Sequence, residues 1–342
     1  MTSRDSATPA AMPLISPHTE AGMRQYPCRA LGKHLGQYLG LLLVLVAMLV
    51  FFSASSDYFL SRDTFSTLAN QIPALTVMAV GMTFVMISGG IDLSVGSVLA
   101  LCGALLSLAM VNWGWSLPAA AALALGAGVL CGLVNGAVSV AWSVPSFIVT
   151  LGMLEVARGC AYVATGSRTV YIGGAVGFIN EPLAFGVSPA FGIALVVVAL
   201  GQLVLSRTVF GRHMVGIGTN EQAMRMAGIR TGGSKIAVFA LLGLLSALAA
   251  TFQVARLEAA DPNAAAGMEL QVIAAVVIGG TSLMGGRGSV VNTFIGVLII
   301  AVLEAGLAQV GASDPAKRII TGVVIVIAVI ADMLRHRGTR SA

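Results

Sequence analysis

The sequence predicts an all-α, polytopic membrane protein of about ten transmembrane helices, and three observations carry that reading. Hydrophobic residues make up 57% of the chain and charged residues only 10%, against roughly 25% charged in a soluble domain; mean hydropathy is +0.93. The apolar residues fall in runs close to the ~20 residues that a helix needs to cross a bilayer. The basic residues sit between the runs and at the ends, the pattern of loops retained on the cytoplasmic side. The net charge of +5 is therefore a topology signal, and no nucleic-acid partner is expected. The 41 glycines suit helices that approach closely in lipid.

The chain begins with a polar stretch rich in Pro, Ser and Thr that lacks the apolar core of a signal peptide at its start. Residues 1–34 are read as a disordered cytoplasmic tail, 35–334 as the transmembrane domain and 335–342 as a basic cytoplasmic tail. Helices are expected over 38–53, 65–87, 95–111, 117–140, 146–165, 191–205, 236–254, 270–283, 290–310 and 319–333. Pro73 interrupts the second and removes one donor. Pro145 suits the first turn of the fifth. Trp113 and Trp115 read as interfacial anchors.

An even number of spans places both termini on one side. Arg24, Arg29, Lys33, Arg287, Arg335, Arg337 and Arg340 then fall on that side, with the basic stretch after the sixth helix. Asp57, Asp63, Glu181, Glu258, Asp261 and Asp314 fall on the other, with Lys317 and Arg318 as exceptions. The Lys/Arg side is cytoplasmic. A candidate internal repeat is also visible: Gly89-Gly90 followed by Gly96-Ser97-Val98, and Gly279-Gly280 followed by Gly288-Ser289-Val290. Chance in a glycine-rich chain is the competing account.

The longest polar interruption, Ser206 to Lys235, carries Arg207, Arg212, His213, Arg225, Arg230 and Lys235. Thr219-Asn220-Glu221-Gln222 fits a capping box with Thr219 as the cap. Glu221 and Arg225 are spaced for an ion pair, and Gly228 offers a left-handed stop. A short helix over 220–227 is expected, with Ala223, Met224 and Ala227 on one face. Such a helix is shaped to dock on a partner; a solvated loop that only fixes topology is the alternative.

No metalloprotease, hydrolase or phosphate-loop motif is present, and Lys33, Lys235 and Lys317 close no GxxxxGK[ST] pattern. An enzyme is not expected, and no cofactor. Cys28, Cys102, Cys131 and Cys160 form no CxxC and read as small apolar side chains. Ionisable residues within apolar runs are few, and each usually faces a cavity or a partner. Glu155 and Arg158, three apart, are expected to pair. Glu304 is either a packed carboxyl or lines a path. Asp92, beside Gly89 and Gly90 and before Ser94, is expected to cap the exposed N–H groups of the following helix with its carboxylate, with a direct part in gating or substrate passage as the alternative. Asn70 and Gln71, neutral amides beside Pro73, are the better pathway candidates because they can bond a polar substrate without burying a charge.

Four segments carry a family resemblance: GGIDLSVGSVLAL from Gly89, PSFIVTLGML with ARG from Pro145, TVFGRHMVGIGTNEQAMRMAGI from Thr208, and AAVVIGGTSLMGGRGSV from Ala274. Together they resemble the permeases of ribose-type sugar ABC importers. The resemblance covers the second helix to the C-terminus and implies a multi-pass subunit of the bacterial inner membrane. Its implied partners are a second permease copy, an ATPase subunit that binds and hydrolyses ATP, and a periplasmic sugar-binding protein. The loop after the sixth helix resembles a coupling element, which carries over to Gly211, Arg212, Gly218, Asn220, Glu221, Ala223, Arg225, Gly228 and Ile229. The match departs at Gly216 and Thr219. Pentoses, hexoses and related polyols all remain open as substrates, and an ion-gradient-driven transporter is the competing function.

Overall fold

The computed structural model describes residues 27–183 and 186–338, with side chains over 39–183, 186–313, 315–324, 326–327 and 330. The chain divides into two units, Met1–Leu39 and Gly40–Ala342. The first is described from Pro27, where α1 (Pro27–Ser55) begins; of the disordered tail expected over 1–34, residues 1–26 lie outside the described residues, and residues 27–34 are helical and form the start of α1. In the second unit the helices follow the expected apolar runs: α2 (Arg62–Ile87), α3 (Val95–Val111), α4 (Leu117–Ala141), α5 (Ser146–Thr165) and α6 (Pro189–Arg207). After α7 (Val209–Thr219) and α8 (Glu221–Met226) come α9 (Thr231–Leu257), α10 (Met268–Ile278), α11 (Val290–Gln309) and α12 (Asp314–Gly338). Among the described residues, six helices are long and apolar enough to cross a membrane, and three shorter ones are apolar.

The centre is α2 and α9. Every residue of α2 from Ile72 to Ile87 is buried, and α4 lies along α9 with backbones in contact. A Cβ at Gly132 would strike the Phe239 carbonyl, and one at Gly243 would strike the Gly128 carbonyl. In lipid the hydrophobic effect does not drive helices together, so dispersion at such close approaches matters more. Buried polar groups are tied across the bundle. The Thr83 and Thr293 hydroxyls join α2 to α11 at 2.8 Å. Gln202 of α6 accepts from the Val290 and Val291 N–H groups at 3.0 and 3.3 Å, satisfying open donors at the start of α11.

Two connections do not stay at the helix ends, and α5 fixes both. One is the extended run from Ile91 to Leu93. Its Ile91 and Leu93 N–H groups donate to the Ser146 and Thr150 hydroxyls at 2.9 and 3.1 Å. The other leads from the end of α9 to Gly267. Glu258 turns left-handed (φ 50°), Ala259–Ala260 (β2) pairs antiparallel with Val170–Tyr171 (β1), and the chain then enters the bundle. Arg158, twelve residues or about 18 Å along α5, donates to the Pro262 and Ala264 carbonyls at 2.6 and 2.9 Å. Tyr162 donates to Asn263 at 2.6 Å. Ser146, Thr150, Arg158 and Tyr162 lie at multiples of four residues, so one stripe of α5 supplies the partners that irregular backbone within a membrane requires. α10, which starts from this inward segment, has 11 residues, about 16 Å and half a bilayer core.

This corrects the expected Glu155–Arg158 pair. Arg158 is engaged by the two carbonyls, and Glu155, one turn earlier on α5, is exposed and makes no salt bridge among the described residues. The glycine echo also gains a local explanation. Gly89 and Gly280 are left-handed residues that close α2 and α10 with the same pair of backbone bonds. Gly166, Gly228 and Gly311 close α5, α8 and α11 in the same way.

Candidate functional site

The polar interruption is almost wholly helical. Thr208 Oγ1 accepts from the Gly211 N–H at 3.2 Å and starts α7. A Cβ at Gly211 would fall on the Leu205 carbonyl, so the elbow from α6 closes only on glycine. α7 lays Met214 and Ile217 into the core. Its last turn reaches the end of α2, where Gly218 abuts the Ile87 carbonyl and the Gly286 N–H that donates to it at 2.8 Å. α2, α7 and the α10–α11 turn therefore meet at one backbone junction.

α8 is capped by Asn220, not by Thr219. Asn220 is extended (φ −158°, ψ 95°) and its Oδ1 accepts from the Ala223 N–H at 2.9 Å. Thr219 is the last residue of α7, and its hydroxyl donates back to the Val215 carbonyl at 2.7 Å. The Glu221–Arg225 pair forms at 2.7 Å. Glu221 also accepts from the Thr231 hydroxyl at 3.1 Å and from the Lys235 ammonium at 2.5 Å. Partial burial raises the Glu221 pKa, but the Lys235, Arg225 and Thr231 donors outweigh it and hold the carboxyl below the usual carboxylate range. Gly228 (φ 80°) ends the helix.

The face that α8 presents differs from the expected one. Met224 folds back on Gly216, while Ala223, Met226 and Ala227 are exposed. Gly211, Gly218, Asn220, Glu221, Gly228 and Ile229 build the elbow, junction, cap, hub and stop of this element. Arg212, Ala223 and Arg225 lie exposed on it. A groove of about 270 Å³ separates the Glu221 hub from Ser88–Gly90 and from the α4–α5 turn.

Asp92 is 2% exposed. Its Oδ1 accepts from the Ser94 N–H and hydroxyl at 2.8 and 2.6 Å, and Asn135 of α4 donates to its Oδ2 at 3.3 Å and to Ser94 Oγ at 3.0 Å. The expected capping of α3 is corrected in detail. Ser94 is the N-cap and makes no side-chain cap bond; the carboxylate instead closes the turn before it and ties that turn to α4.

The two amides of α2 separate. Asn70 Oδ1 accepts from the Ser188 N–H at 3.0 Å, and its Nδ2 donates to Ser66 Oγ at 3.3 Å, so this amide joins α2 to the start of α6. Gln71 lines a cavity of about 740 Å³ bounded by α2, α10, α11 and α12, at the end of the bundle away from α8. Gln271 and Glu304 line the same cavity, with the Gln271 amide donating to Glu304 at 2.5 Å.

Membrane-length helices around inward-running irregular segments, a polar cavity at one end and a capped short helix at the other are the build of a transport permease. Residues 64–329 match the family described as the permease component of branched-chain amino acid transport systems, and the chain belongs to that family. It is a permease subunit and not an enzyme. It is 40% identical over 300 residues to the ribose import permease of Escherichia coli K12, spanning 85% of this chain and 92% of that one. The Bacillus subtilis ribose import permease is 39% identical over 302 residues (87% and 92%). The fructose import permease of Rhizobium meliloti is 30% identical over 301 residues (85% and 84%). No solved structure matches the chain.

Proposed function

We propose that the chain is the membrane subunit of an ATP-driven importer that passes a sugar from a periplasmic binding protein into the cytoplasm, working as a pair of copies in lipid with a separate ATPase. The observation that carries this is its 40% identity, over nearly the whole length, to a permease named for ribose. The α7–α8 element supports the ATPase role, because it is capped, exposed at α8 and packed backbone to backbone against the end of α2 and the α10–α11 turn. In this reading α8 faces the cytoplasm. Gly211, Gly218, Asn220, Glu221, Gly228 and Ile229 hold it in shape, while Arg212, Ala223 and Arg225 meet the ATPase. Gln71 lines the path, with Asn70 and Asp92 fixing the walls around it.

A second copy is supported by α5. Glu155 is exposed halfway along this helix between Gly152 and Gly159, which have open space beside them. A carboxylate facing lipid there would cost about 2.5–3.5 kcal/mol.

The test is uptake by proteoliposomes holding the permease, its ATPase and its binding protein. Sugar uptake that requires ATP and both partners is expected; uptake driven by a proton or sodium gradient alone would refute the reading. Orientation is checked with single cysteines. Ala227→Cys should label only from the cytoplasmic face and Asn263→Cys only from the other, and labelling of both from one face would overturn the assignment.

A further inference from the structure

We infer that the cavity between α2, α10, α11 and α12 is a binding site for a neutral polyhydroxylated ligand within one permease copy, in which Gln71, Gln271 and Glu304 contact the sugar on its way in. The inference rests on the reading of the chain as a sugar permease and adds the site and its residues.

The cavity runs deep. Along α2 it extends from Asp63 to Gln71, eight residues or about 12 Å. On its other side Gly267 and Gln271 belong to the inward segment and the first turn of α10. Its volume of about 740 Å³ lies in the range of small-molecule sites, ~300–1,000 Å³. Acyl chains would not fill it, because Glu304, within the span of α11, lines it and an ionisable group there faces water or a polar ligand, while Asp63, Lys317 and Arg318 line it from the starts of α2 and α12.

The lining also selects the ligand class. Two acidic and two basic side chains balance in formal charge, so the lining favours neither an anion nor a cation by net charge. Between them stand three carboxamides, Gln71, Gln271 and Gln309, and three hydroxyls, those of Thr64, Thr67 and Thr321. Such neutral donor–acceptor groups suit hydroxyls, which both give and accept a hydrogen bond. Gln309 is occupied by Thr64 and Ser56, and Gln271 is oriented by its bond to Glu304. Gln71 makes no side-chain hydrogen bond among the described residues and is exposed to the cavity. A positioned acceptor pair on one wall thus stands with an uncommitted amide on another. Apolar side chains are few and small, Leu270 apart, which leaves little to recognise a branched aliphatic side chain.

The experiment uses the complete importer in proteoliposomes with D-ribose as the probe, and two kinds of variant. Gln271→Ala and Glu304→Gln are expected to lower ATP-dependent ribose uptake about tenfold, the loss of one or two well-placed hydrogen bonds. Stimulation of the ATPase by loaded binding protein should stay within twofold of the wild type (about 0.4 kcal/mol). Thr67→Cys, in a chain whose native cysteines are replaced by alanine, should react with a hydrophilic thiol reagent and be protected by ribose but not by leucine. Normal uptake by both variants, or labelling that ribose does not slow, would overturn the site. Protection by leucine alone would overturn the ligand class. A wild type that takes up no sugar with ATP would instead overturn the functional reading, so the failures are distinguishable.

Discussion

Glu221 of α8 and Lys235 of α9 meet at 2.5 Å across the Gly228 turn, and this contact fastens a helix of six residues to one of 27. So short a helix does not hold its shape alone. Its position relative to the bundle depends on the Glu221 hub and on the Gly218 junction.

Removing Lys235 should therefore cost more than removing Arg225. The Lys235 side chain is 27% exposed and the Arg225 side chain 64%, and exposed pairs contribute little. Lys235→Met is expected to lower the stability of the purified complex by about 1 kcal/mol and Arg225→Met by a few tenths, read as thermal unfolding.

The same hub sets a pH dependence. The Glu221 pKa is depressed below its ordinary 4.5 in the folded chain. Its contribution is therefore fully present above that value and is lost as the pH falls through the lower folded pKa. The difference in melting temperature between the wild type and Glu221→Gln should be constant from neutral pH down to about pH 5 and should shrink below about pH 4.

The backbone junction gives a sharper contrast. Gly218→Ala would drive a methyl group onto the Ile87 carbonyl, where backbone on both sides resists movement. A loss of about 1–3 kcal/mol or more is expected. Gly233→Ala, in the first turn of α9 with nothing within 4 Å, should be neutral or stabilising by up to about 1 kcal/mol. Equal melting temperatures for the two variants would refute the junction.

Apolar runs made most of the bundle readable, and α3 and α5 have the expected bounds. α7 was not readable, because Gly211, Gly216 and Gly218 weaken its helical signal and its support is tertiary: the elbow at Leu205 and the junction at Ile87. Thr219 and Asn220 both fit an N-cap, and the choice was made by α7 running on through Thr219. Thr231 and Lys235 were hidden as partners of Glu221 because they approach it only after the chain reverses at Gly228. Arg158 was misassigned for a similar reason. Spacing offered it Glu155, whereas the inward segment, which no periodicity marks, offered two carbonyls in need of a donor.

That assignment is testable at α5. Arg158→Met removes the donor to Pro262 and Ala264 and should destabilise the complex by about 1.5–3 kcal/mol, the range for bonds to a charged group. Glu155→Gln should have the same effect in the wild type and in the Arg158→Met background, so that the two changes add. A coupling energy above about 0.5 kcal/mol in that cycle would restore the ion pair.

The exposed face of α8 separates docking from folding. Ala223 and Met226 are exposed, whereas Met224 packs on Gly216 beneath the helix. On the proposed docking role, Ala223→Asp places an unpaired charge where the ATPase closes over it, which should cost several kcal/mol at the interface. Met226→Glu acts on the same face in the same sense. Neither touches the core, so both variants should insert and unfold as the wild type does, while the ATPase is lost on purification and uptake fails. Met224→Ala should show the opposite pattern. It opens a void against α7 and lowers the melting temperature, by about 1–2 kcal/mol at a half-buried site, yet leaves the outward face intact, so the ATPase should co-purify at low temperature. Retention of the ATPase by both Ala223→Asp and Met226→Glu, with normal uptake, would reduce α8 to a connection between α7 and α9.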